Sequence, residues 1–194
     1  MSDFTLDPIE LVGYHGTNIE SATQILQTGF TPSRNNYDWL GKGVYFWQDA
    51  PYRAWNWAGE YCNNKGGDPA VIRSVIRIGR DEFIDLLDYG QDRDPNWTYY
   101  LRRTYQYLQE QTISRLPPNK RAIGYHALDR LVVDTLIEKI LKPMDIDILA
   151  VRACFQEGEE VYPGSAIHNK SHIQIAVRDT SSIIESILLT EKDF

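Results

Sequence analysis

The 194-residue chain is poor in the residues that staple small extracellular folds or bind metals: it holds two cysteines, two methionines and four histidines. Cys62 and Cys154 lie in unrelated segments and form no CxxC pair, so the sequence encodes no disulfide framework and a reducing compartment fits better. His168 and His172 are four residues apart, as in the histidine half of a zinc site, but no CxxC accompanies them and no metal is expected. No apolar run is long enough to span a bilayer, and the acidic start MSDFTLDP lacks a signal-peptide core. The chain is therefore expected in the cytoplasm, with no membrane partner. Repeats, low-complexity tracts and linker-like stretches are missing too, which leaves a single domain over residues 1–194.

What is present is ordinary for a soluble globular protein. Hydrophobic residues make up 42% and charged residues 24%, and the length allows a sizeable core without staples. The net charge of -7 argues against nonspecific binding to nucleic acid, but it is unevenly spread. Residues 93–121 hold Arg93, Arg102, Arg103, Arg115, Lys120 and Arg121 against Asp94 and Glu110, a local balance of +4 that leaves the rest at -11. Trp97, Tyr99, Tyr100, Tyr105 and Tyr107 are interleaved with these charges. The first reading is an amphipathic helix with its aromatics against the core and its arginines in water. The alternative is a surface whose rings stack on bases.

Along the chain, the apolar runs Leu11–Tyr14 and Val44–Trp47 read as short buried strands beside small or turn residues, Gly13, Gly16 and Thr17 for one, Gly41 and Gly43 for the other. Between them Asn18 can cap a helix with Ile19, Ala22, Ile25 and Leu26 at helical spacing, and Gly29 is placed to end it. Asp49 can cap a second helix, Pro51–Cys62, which carries Trp55, Trp57 and Tyr61. Residues 70–78 alternate as a half-buried strand, and 81–88 fit either a short helix or an edge strand. Helices are predicted over about 96–114 and 123–141, the second with Leu128, Leu131, Val132, Thr135, Leu136 and Ile140 on one face. Strands come next over 147–156, around Gln174, and over 183–189. Strands early and late around central helices predict an α+β domain with a mixed or largely antiparallel sheet.

One point concentrates polar chemistry. His15 ends a buried strand and is followed by Gly16 and Thr17, which brings together an imidazole, an unobstructed backbone amide and carbonyl, and a hydroxyl. A planar carboxamide can bond Gly16 on both its donor and its acceptor side, because no side chain blocks the approach. Tyr45 offers a flat face for an aromatic ring.

These residues carry a resemblance. YHGT, then a helix ending in Gly-Phe, then LGKGVYF resembles the NAD-binding core of the poly(ADP-ribose) polymerase and diphtheria toxin class of ADP-ribosyltransferases, marked by a His, Tyr, Glu triad on three strands. The resemblance implies an ADP-ribosyltransferase-like split mixed β-sheet core with flanking helices and a helical insertion at about 90–145. It implies that NAD is the substrate, that His15 holds the adenine-side ribose and Gly16 the nicotinamide carboxamide, and that Thr17 assists as a hydroxyl. Tyr45 would stack on nicotinamide, Gly43 would lie beside it, and Trp57 or Trp55 would close the other side. The segment HIQIAVRD, from His172 to Asp179, resembles the last catalytic strand and puts Gln174 where the family has glutamate.

Gln174 can hydrogen-bond a ribose but cannot be a base or carry charge. Three consequences are open: Gln174 only positions the sugar for transfer of a single ADP-ribose; or Glu157, Glu159 or Glu160 supplies the carboxylate from the preceding loop; or the domain binds NAD or ADP-ribose without turning it over. Those glutamates also read simply as a solvated acidic turn. The expected activity is thus that of a mono-ADP-ribosyltransferase with His15, Tyr45 and Gln174 in the catalytic positions and a protein or nucleic acid as acceptor. Such a domain would fit a bacterial or phage toxin or defence effector. The alternatives are a silent NAD-binding module and an NAD glycohydrolase.

Overall fold

The structure, a computed structural model, describes residues 7–33, 35, 38–88, 95–111, 115–120 and 125–194. The first strand, β1 (Ile9–Asn18), is longer than its apolar run: it continues through His15, Gly16 and Thr17. It does so because β3 (Pro69–Ile78) pairs with it antiparallel along the whole length, from Ile9↔Ile78 to Asn18↔Pro69. Helix α1 (Ile19–Thr28) starts where the Asn18 side chain accepts from the Ser21 amide at 2.8 Å, and it ends at Gly29, whose amide returns to the Ile25 carbonyl. Strand β2 is Val44–Gln48 and helix α2 is Pro51–Lys65. Asp49 is not the cap of α2: Ala50 holds that position without a side-chain bond, and Asp49 sits in the left-handed region at φ 50° with its amide on the Val12 carbonyl.

The segment after β3 forms a short 3-10 turn, Arg80–Glu82, and then β4 (Phe83–Asp85). Helix α3 (Trp97–Gln111) lies within the predicted helix, whose last residues 112–114 fall outside the described ones, as do Arg93, Asp94 and Arg121 of the basic segment. The next predicted helix starts later than expected. Tyr125–His126 (β6) pairs with Asn119–Lys120 (β5), α4 covers Ala127–Thr135, and a wide π turn, Leu136–Leu141, continues it. The buried residues there are Val132, Val133, Thr135, Leu136, Ile137 and Leu141, not the full face that 3.6-residue periodicity marks out. A π turn takes an extra residue per turn and so rotates the side chains beyond it about the helix axis. Strands β7 (Ala150–Phe155), β8 (His172–Val177) and β9 (Ile183–Leu189) complete the chain.

The result is an α+β architecture around one seven-stranded mixed sheet of order β4-β7-β8-β2-β1-β3-β9, in which only β4 and β7 run parallel. Alternate residues of the central strands enter different cores, as the two-residue strand period requires. Val44, Phe46, Ile175 and Val177 pack together with Leu11 and Ile76, whereas Ala176 and Val151, with Tyr45 against them, join Leu136 and Ile137 of the helical insertion. Both faces of the sheet are therefore covered. One seam departs from this close pairing. β1 and β2 are in register only at Gly13↔Gln48 and Tyr14↔Trp47, and beyond Tyr14 the two strands part.

Candidate active site

A cleft of about 880 Å³ opens at that parting, a volume within the usual range for small-molecule sites. His15, Gly16 and Thr17 of β1, Gly43, Tyr45 of β2, Trp57 of α2 and Gln174 of β8 all line it. The sequence-predicted site residues thus meet in one place although they span 160 positions of the chain.

The parting has a specific cause. Continuing the β1–β2 register would place Gly16 opposite Tyr45. The Tyr45 carbonyl is instead bonded to His15 Nδ1 at 2.9 Å, so a side chain takes the acceptor that the next rung of the ladder would use. Val12 directs its carbonyl toward the β2 side, onto the Asp49 amide; by strand alternation the amide and carbonyl of Gly16 point the same way, into the cleft. Gly16 must also lack a side chain for packing, since a Cβ there would stand 2.2 Å from the Ala54 carbonyl oxygen of α2.

A carbonyl can only accept, so His15 carries its proton on Nδ1 and keeps Nε2 as an acceptor. Burial favours the neutral ring and lowers its pKa below the ordinary histidine value, outweighing the Tyr45 hydrogen bond, which acts in the opposite sense. Phe30 and Phe46 meet that ring edge-on at 5.5 and 5.9 Å. Tyr45 presents a ring rather than a hydroxyl: its Oη donates to the Gly41 carbonyl at 2.7 Å and accepts from the Leu40 amide at 2.9 Å. Burial, with Asp38 nearby, pushes the phenol far above the ordinary tyrosine range, so it is no proton donor in chemistry near neutral pH. Gly43 has both backbone groups engaged, its amide and carbonyl exchanging bonds with Ser33 at 3.2 and 2.8 Å. Its place is in the frame of the rim.

Between the two tryptophans the structure distinguishes clearly. Trp57 lines the cleft with Tyr61 and is 41% exposed, whereas Trp55 stacks on Phe194 at 4.8 Å. Among the three loop glutamates only Glu157 reaches the cleft. Glu160 caps the Gly164 amide at 2.7 Å, and both Glu159 and Glu160 are exposed. His168 and His172 each bond a backbone carbonyl through Nδ1, and among the described residues no cluster of three or more His, Cys, Asp or Glu side chains is arranged to hold a metal.

Several cleft residues are not evident in the sequence pattern. Arg53 Nη2 lies 2.9 Å from both Glu157 oxygens, and its guanidinium stands over the Trp47 ring at 5.4 Å. A signal was available, because Arg53 precedes Trp57 by four residues and so shares its helix face. Asp38 is buried in the rim and accepts from Ser33 Oγ at 2.8 Å and the Asn35 amide at 2.7 Å; burial raises its carboxyl pKa against those two bonds. Trp39 and Tyr125 extend the aromatic lining toward the helical insertion. No protein-family model matches the chain, and no curated protein matches it significantly.

Proposed function

We propose that the protein is an NAD-dependent mono-ADP-ribosyltransferase, which cleaves the nicotinamide glycosidic bond and passes one ADP-ribose to a macromolecular acceptor. The observation that carries this reading is the convergence of His15, Tyr45 and Gln174, from three strands, on a cleft opened beside the backbone of Gly16. His15 Nε2 accepts from a ribose hydroxyl. The Gly16 amide and carbonyl take the two sides of the carboxamide, and the rings of Tyr45 and Trp57 flank the nicotinamide.

The chemistry asks little more than orientation and charge. The bond from C1' to the nicotinamide nitrogen breaks with its electron pair leaving on nitrogen, so nicotinamide departs neutral and positive charge develops on the ribose. Holding both parts of NAD in a partly closed cleft lowers this barrier, and a nearby carboxylate stabilises the developing cation. Gln174 hydrogen-bonds the nicotinamide-side ribose. Glu157 supplies the negative charge and accepts the proton of the incoming nucleophile.

The test is transfer of label from adenylate-labelled NAD to a cell lysate, with His15→Ala as control. Label entering macromolecules only with the unaltered protein supports the transferase. One other reading has an observation behind it: an amide stands at position 174, which suits a module that binds NAD without cleaving it. Retained NAD binding with no nicotinamide release and no labelled product would establish that reading instead, and release without labelled product would mean a glycohydrolase.

A further inference from the structure

We infer that the acceptor is an amino-bearing nucleobase of a single-stranded nucleic acid, held in the arm of the cleft that runs from Arg53 and Glu157 past Trp47 toward Trp39 and Tyr125. The inference rests on the transferase reading and names its second substrate.

This arm is not needed to hold nicotinamide, and its composition is that of a base-binding site. Trp39 and Trp47 line it, with Tyr125 beside Trp39's end of the cleft, and the two indoles are backed by a chain of rings: Trp39 meets the edge of Phe155 at 4.2 Å, Phe155 lies 5.9 Å from His172, and His172 lies 6.2 Å from Trp47. Flat walls of this kind select planar ligands by stacking and tolerate any base. The polar groups narrow the choice. Arg53 Nε and Nη1 and Trp47 Nε1 are buried without a hydrogen-bond partner, and the Arg53 side chain as a whole is only 10% exposed. Buried donors of this kind call for an acceptor. Beside them stands the Glu157 carboxylate, a pure acceptor and 38% exposed. Donor and acceptor side by side match a base edge on which an amino group neighbours an unprotonated ring nitrogen, as in adenine, cytosine and the N2/N3 edge of guanine. Uracil and thymine lack that amino donor.

A second observation lies outside the cleft. Helix α3 packs Trp97, Tyr100 and Leu101 into the same core cluster as Trp39 and Tyr45, and it exposes Tyr99, Arg103 and Tyr107 at four-residue intervals with Arg102 alongside. Stacking faces alternating with guanidinium groups suit a strand whose bases are already unpaired. An acceptor base has to be out of the stack to reach C1'. In the transfer, the amino nitrogen's lone pair forms the bond to C1', nicotinamide leaves with the electrons of the broken bond, and the displaced amino proton passes to Glu157.

The purified full chain would be incubated with adenylate-labelled NAD and one of three single-stranded RNA homopolymers, poly(A), poly(C) or poly(U), alongside a lysate digested afterwards with protease or nuclease. The expected result is label on poly(A) or poly(C) exceeding that on poly(U) by about tenfold or more, and nuclease-sensitive label in the lysate. Glu157→Gln should lower transfer to poly(A) and poly(C) about a hundredfold. Label confined to protein, equal label on all three homopolymers, or nicotinamide release with no labelled polymer would overturn the acceptor assignment while leaving NAD cleavage intact. Absence of nicotinamide release under every condition would instead remove the transferase reading, and the acceptor with it.

Discussion

Asp134 accepts a hydrogen bond from the backbone amide of Lys42 at 3.1 Å, across 92 residues of chain. The same carboxylate oxygen takes Arg178 Nη1 at 2.9 Å, and Arg178, whose side chain is 5% exposed, also holds the Lys42 carbonyl at 3.1 Å and Glu138. The helical insertion thereby grips the turn at Gly41 and Lys42 to which the Tyr45 hydroxyl is anchored. Asp134→Ala is expected to destabilise the fold by roughly 2–4 kcal/mol, because it strips a buried arginine of one anion and an amide of its acceptor. Urea unfolding would measure this, and a midpoint equal to the parent's would mean that the turn is held by other contacts.

Tyr45→Phe separates the two duties of that residue. The phenyl ring keeps the flat face, while the Gly41 carbonyl and the Leu40 amide lose their partner. The expected outcome is a loss of about 1–3 kcal/mol in stability with NAD affinity largely retained below the new unfolding temperature. Tyr45→Ala should lose the affinity as well. Binding titrations on both variants decide the matter; an equal loss in the two would place the hydroxyl, rather than the ring, in contact with substrate.

Acid sensitivity should begin at histidine pH. His15 and His172 are both held below the ordinary histidine value by burial, only partly opposed by their backbone hydrogen bonds and, for His172, by Glu157. The unfolded chain therefore binds protons at these sites from about pH 6.5 downward while the folded chain does not. Stability contributed by the neutral rings is full above that pH and falls as pH drops toward the folded values, by up to about 1.4 kcal/mol per pH unit for each ring. Asp38, whose carboxyl is raised by burial, works in the opposite sense at lower pH. Denaturant midpoints should stay level from pH 8 to 7 and decline below about 6.5, less steeply in His15→Gln. A flat profile down to pH 5 would contradict the buried neutral assignment.

The parts of the site visible in the sequence are those whose chemistry is local. His15, Gly16 and Thr17 are consecutive, Tyr45 sits in a short apolar run, and the cap at Asn18 needs only the next three residues. The parts that were not visible depend on closure of the chain. Arg53 and Glu157 are 104 residues apart, and Glu157 looks like its solvated neighbours Glu159 and Glu160 until the fold brings it against α2. Likewise the turn-like residues His15 to Thr17 are strand because β3 pairs along them, a tertiary effect that overrides local preference. The clamp by Asp134 depends on such closure too, which is why the insertion had no visible part in the site.

Gln174→Glu tests the relation between the amide on β8 and the carboxylate in the preceding loop. Gln174 is in register with Trp47 on one side and Ala153 on the other, so a glutamate there keeps the same strand position and side-chain length. If position 174 faces C1', the added charge stabilises the developing cation, and nicotinamide release should rise by roughly tenfold to a hundredfold at unchanged NAD affinity. Steady-state nicotinamide release by the variant and the parent is the decisive experiment. A variant indistinguishable from the parent, combined with loss of release in Glu157→Gln, would assign the electrostatic work to Glu157 and leave position 174 a purely positioning role.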